Sequence, residues 1–67
     1  MKHAEQVHNM IANAAAWHDY AAGLHVIQSE NGWRRGLKFG PENTRFDYAD
    51  GSSLWWSPER TAWLAGY

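Results

Sequence analysis

Leu24-His25-Val26-Ile27-Gln28-Ser29-Glu30-Asn31-Gly32-Trp33-Arg34-Arg35-Gly36-Leu37-Lys38-Phe39 is the stretch whose reading decides the fold. Asn31-Gly32 is a strong hairpin signal, because both central residues of a type I′ turn need φ > 0 and these two tolerate it best. A two-residue loop there sets Glu30 against Trp33, Val26 against Leu37 and Leu24 against Phe39. Directly opposed residues share a sheet face. Leu24, Val26, Leu37 and Phe39 then form an apolar patch, and His25, Ile27, Ser29, Arg34, Gly36 and Lys38 take the other side. A one-residue slip would mix the two sets.

The same logic extends to Thr44–Trp56 around Asp50-Gly51. A three-residue loop, Ala49-Asp50-Gly51, with Gly51 in the left-handed position of a bulge, sorts the side chains better than a two-residue turn. Phe46 then faces Leu54, Tyr48 faces Ser52, and Thr44 faces Trp56. Arg45 and Asp47 join Ser53 and Trp55 on the outer face, with Arg45 opposite Trp55. Pro41, which cannot donate to a ladder, marks the turn between the hairpins.

Before these hairpins, Lys2 to about Ala22 reads as one amphipathic helix stopped by Gly23. Its apolar side holds Val7, Met10, Ile11, Ala14, Trp17, His18 and Ala21. After them, Ser57-Pro58-Glu59 suits a helix start, with Ser57 as cap and Pro58 at the first position. The helix runs to about Ala65; the alternative makes Ser57–Arg60 a turn into a further strand, Thr61–Leu64. The expected fold is α+β: an N-terminal helix packed on a four-stranded antiparallel meander of two consecutive hairpins, then a short C-terminal helix, in the order α-β-β-β-β-α.

Sixty-seven residues make a single domain, and a chain of this size buries only about 60 % of its unfolded surface. With no cysteine there is neither a disulfide nor a zinc–thiolate site. That composition favours a reducing compartment, and the expected location is cytoplasmic. A net charge of −1 supplies no basic field for nucleic acid. No apolar run approaches the roughly 20 residues needed to span a membrane.

Chemistry-bearing patterns are sparse. On one helix His8 and His18 stand ten residues, about 15 Å, apart, too far to share an ion, so neither a metal nor another cofactor is expected. No serine sits in a nucleophile-elbow motif, and Glu30, Asp47 and Asp50 read as turn or outer-face carboxylates. A catalytic role is therefore not expected. Arg35-Gly36-Leu37-Lys38-Phe39 shares the basic-Gly opening of the RNP1 pattern of RRM domains. Leu37 replaces its first aromatic and Lys38 a small residue, and the β-α-β halves of an RRM are missing.

The surface is the more informative feature. Five tryptophans in 67 residues exceed what a small core can use. Trp17, Trp56 and Trp63 suit the core, whereas Trp33 and Trp55 fall outside it. Trp and Arg are enriched at interface hot spots. Trp33, Arg34, Arg45, Asp47, Trp55 and Glu30 therefore form the candidate partner-binding set, with Arg45 beside Trp55 as a cation–π pair. The expected function is a non-enzymatic module that binds a protein partner by steric occupation, with homodimerisation as one form of it. Small, staple-free, tryptophan-rich domains are common among phage-encoded inhibitors of host complexes, anti-CRISPR proteins included, and a host nucleoprotein is the partner this style suggests. The alternative is a single-strand or duplex nucleic-acid binder that uses the Arg, Lys and aromatic residues of the sheet.

Overall fold

The computed structural model describes residues 2–31, 38–39 and 43–66. Two helices, α1 (His3–Asn13) and α2 (Tyr20–Asn31), precede four extended segments: β1 (Lys38–Phe39), β2 (Arg45–Asp47), β3 (Ser53–Ser57) and β4 (Ala62–Gly66). They pair antiparallel in the order β1-β2-β3-β4. Because β1 adds only a two-residue bridge to β2, three strands carry the sheet. The fold is α+β, but the expected α-β-β-β-β-α order does not hold. Leu24–Asn31 belongs to a helix rather than to the first arm of a hairpin, and the C-terminal helix is replaced by β4. The proposed turn partner Gly32 lies outside the described residues.

α1 forms where alanine, glutamate and glutamine favour a helix and Ala4, Val7 and Ile11 recur on one stripe, all three buried. Of the expected apolar side, Met10 and Trp17 instead stand 42 % and 43 % exposed. The helix stops at Asn13, well before Gly23. Ala16 N–H donates to Ile11 O and Ala15 N–H to Ala12 O, with Ala15 in the left-handed region at φ 55°. That is a Schellman closure with alanine where glycine is usual. Trp63 N–H then donates to the carbonyl of Trp17 at 2.8 Å. Asp19 restarts the chain as a helix cap, its Oδ1 accepting from Ala22 N–H at 3.1 Å.

Gly23, expected to end a helix, sits buried inside α2. A Cβ there would lie 2.0 Å from Trp63 Nε1, so the missing side chain is what lets α2 lie against the sheet. Ile27, expected on the outer sheet face, is fully buried in the core. Leu24 and Val26 pack beside it from α2.

The second hairpin has the expected register: Arg45 opposes Trp55, Phe46 opposes Leu54 and Asp47 opposes Ser53. Gly51 takes φ 89° at its loop. Beyond β3, Ser57 Oγ does cap a turn, accepting from Arg60 N–H at 3.3 Å. The turn leads into β4 in register with β3, with Trp56 opposite Trp63. Leu54, Phe46 and Trp63 face the helices and are fully buried with Val7, Ile11 and Ile27. Among the described residues, no helix is long and apolar enough to cross a membrane.

Candidate functional site

Strand alternation puts Arg45, Asp47, Ser53, Trp55, Leu64 and Gly66 on the sheet face away from the core. The polar members bond to one another. Arg45 Nε donates to Asp47 Oδ1 at 3.0 Å and Nη2 to Ser53 Oγ at 3.3 Å, while Ser53 Oγ donates to Asp47 Oδ1 at 2.7 Å. The guanidinium, on the strand position opposite Trp55, hydrogen-bonds to Asp47 and Ser53. Both ends of the ion pair remain open, with side chains 54 % and 42 % exposed. Trp55 is half-buried because the far end of its six-membered ring covers Gly66.

Of the six expected partner-binding residues, the strands thus bring Arg45, Asp47 and Trp55 together. Trp33 and Arg34 lie outside the described residues. Glu30 sits on α2 rather than at a hairpin tip, where its Oε1 is 3.2 Å from His3 Nε2. His25 is an exposed helical residue, so it too leaves the expected sheet face.

A second cluster escaped the sequence reading. Asp50 and Ser52, in the β2–β3 loop, cap the start of α1 from 47 and 48 residues away. Asp50 Oδ2 accepts from His3 N–H at 2.8 Å, and Ser52 Oγ accepts from Ala4 N–H at 3.1 Å. The Ser52 hydroxyl and its N–H both donate to Asp50 Oδ1. These bonds from Ser52 and His3, helped by the Lys2 charge, hold the Asp50 carboxyl far below the usual aspartate range. Above them the His3 ring stacks on Tyr48, centroids 4.3 Å apart. Asp50 therefore ties the β2–β3 loop to the start of α1. No local signal in the sequence marks its capping role, because the helix donor it satisfies, His3 N–H, comes from the other end of the chain.

His8 and His18 are likewise held by the fold. His8 Nε2–H donates to the carbonyl of Trp63 at 2.8 Å, and His18 Nδ1–H to that of Thr61 at 2.7 Å. Both rings pack on Trp17; the break after α1, absent from the one-helix reading, brings them there. Among the described residues no three His, Asp or Glu side chains gather to hold a metal ion. Ser52 and Ser53 each donate to an aspartate, and His3 meets Asp50 only through its backbone N–H.

The third feature is an open aromatic cleft. Tyr20, Thr44, Trp56 and Pro58 line a space of about 340 Å³. Tyr20 and Trp56 meet edge to face, and Trp63 backs both rings.

No known protein family, characterised protein or solved structure matches this chain.

Proposed function

We propose that this protein is a non-enzymatic interaction module that presents the outer face of its sheet to a protein partner and acts by occupying that partner's surface. The observation that carries the reading is the order of that face in the free chain. Arg45 is braced by Asp47 and Ser53, and Trp55 is laid across Gly66. Side chains already fixed lose little entropy on binding, and Trp and Arg are the types that dominate interface energetics. Trp33 and Arg34 join this set on sequence grounds, whereas Glu30, tied to His3 on α2, is the weaker member. The partner class, a host nucleoprotein blocked by a phage-encoded inhibitor, rests on size and composition.

The test compares tagged wild-type chain with Trp55→Ala and Arg45→Ala in capture from cell extract, with circular dichroism on each variant. A protein retained by the wild type and lost by both folded variants supports the proposal. Equal capture by all three overturns it. So does capture of nucleic acid that weakens steeply between low and moderate salt. A concentration-dependent doubling of mass in solution, abolished by Trp55→Ala, identifies the partner as a second copy.

A further inference from the structure

We propose that the cleft of Tyr20, Thr44, Trp56 and Pro58 is a binding site for a quaternary ammonium group, independent of the outer sheet face. Its volume of about 340 Å³ falls at the small end of ligand pockets, which run from about 300 to 1,000 Å³. It lies where the first residue of α2, the approach to β2, the end of β3 and the β3–β4 turn converge. Its described lining is aromatic and apolar apart from two hydroxyls and carries no charged side chain.

Ring geometry selects the occupant. The Tyr20 and Trp56 rings stand at 71° with centroids 5.6 Å apart. Two rings near a right angle make a corner, and a cation in it can lie within about 6 Å of both centroids at once, the range over which a ring quadrupole attracts it. Trp63, fully buried behind them, stacks on Tyr20 at 14° and meets Trp56 at 64°, so both walls are braced. The Tyr20 hydroxyl donates to Asn43 O at 3.4 Å at the rim.

The surrounding charge also suits a cation. Tyr20 opens α2, and a bare helix start would repel positive charge. Asp19, whose carboxylate caps Ala22 N–H there, offsets that end. An ammonium or guanidinium must exchange its water for acceptors to all of its N–H donors, and the two hydroxyls of this lining are too few for that. A quaternary ammonium has no N–H and an apolar surface, so it enters at the least desolvation cost. Two sources present this group: a free choline-like molecule and a trimethylated lysine on a peptide.

The experiment follows the amide and indole resonances of the ¹⁵N-labelled full chain. It is titrated with choline chloride, with the neutral isostere 3,3-dimethylbutanol, and with a lysine peptide in trimethylated and unmodified forms, at matched chloride. Saturable shifts centred on the Trp56 indole and the Tyr20 and Thr44 amides are expected. Choline should bind about threefold or more tighter than the isostere, the preference an exposed cation–π contact provides. A trimethylated peptide that binds more tightly than both choline and its unmodified form identifies a peptide source; the reverse order identifies a small molecule. Equal binding of choline and the isostere shows a merely apolar slot and overturns the proposal, as do shifts centred elsewhere or none that saturate. Trp56→Phe, which keeps a ring with a weaker quadrupole, should weaken choline binding, and unchanged binding by a folded variant counts against the site. Should that variant not fold, the wild-type comparison of choline with its isostere still decides.

Discussion

Two glycines in this molecule each lie under a tryptophan, and the two contacts differ in kind. On the core side, Gly23 of α2 meets Trp63 of β4 so closely that a Cβ would fall 2.0 Å from Nε1 and 2.3 Å from Cδ1. Trp63 is fully buried and touches Phe46, Tyr20 and Trp56. On the outer side, a Cβ at Gly66 would come within 3.1 Å of the far end of the Trp55 ring, and Trp55 has solvent on one side. The first glycine is a condition of the fold, since no neighbour can yield. The second leaves a side chain that can shift. A closed interior junction and a solvent-facing contact thus share one strand, β4, and the face proposed to meet a partner is the solvent-facing one.

The largest expected effect tests the interior contact. In an isolated helix, glycine to alanine is worth about 1 kcal/mol of stabilisation. Gly23→Ala should instead destabilise the protein by about 2 kcal/mol or more, because overpacking a closed site outweighs the propensity gain. Chemical denaturation gives the sign directly. A stabilised variant would mean that α2 does not rest on Trp63.

The second test asks how the start of α1 is held against the sheet. Ser52 is almost fully buried and serves both Ala4 N–H and Asp50. Ser52→Ala leaves a buried helix donor unpaired and should cost about 1–3 kcal/mol. Asp50 adds a pH dependence whose sign follows from its lowered pKa. A carboxyl that ionises more readily in the folded than in the unfolded chain contributes stability above the unfolded aspartate pKa of about 3.9. That contribution fades as the pH falls below it. Melting temperatures of wild type and Asp50→Asn should therefore differ at neutral pH and converge as acid is added below about pH 4. A constant gap would remove the carboxylate from the capping role.

These contacts also show what the sequence could and could not disclose. The β2–β3 hairpin was legible because its determinants are local. Gly51 supplies the positive φ, and only one register separates Phe46 and Leu54 from Arg45 and Trp55. Three of the candidate site residues, Arg45, Asp47 and Trp55, came with it. Leu24–Asn31 fits a strand and turn through Val26, Ile27 and Asn31-Gly32, while the buried stripe of α2 is narrow, Gly23 and Ile27. That stripe has meaning only against Trp63, forty residues on. Ser57-Pro58 carries a real capping signal, which opens a turn as readily as a helix. The long strand β3 needed a partner, and Trp63 on β4 meets that need while entering the core. Asp50, Ser52 and the aromatic cleft stayed hidden for the same reason, since each is assembled from segments remote in sequence.

The smallest expected effect sharpens the comparison from the other side. Gly66 sits in a strand, where glycine is less favourable than alanine by roughly 0.5–1 kcal/mol through unfolded-chain entropy. Adding a methyl group asks Trp55 to move by a few tenths of an ångström, and solvent on one side of its half-buried ring leaves room for that shift. The two effects oppose, so Gly66→Ala should change stability by no more than about 0.5 kcal/mol in either direction. The displaced ring nevertheless leaves the position it holds in the free chain. If the outer face binds through a pre-set Trp55, Gly66→Ala should weaken partner capture while the denaturation midpoint stays put. A loss of stability comparable to that of Gly23→Ala would show that the two tryptophans are equally closed in, and the distinction between a sealed inner contact and an open outer one would fall.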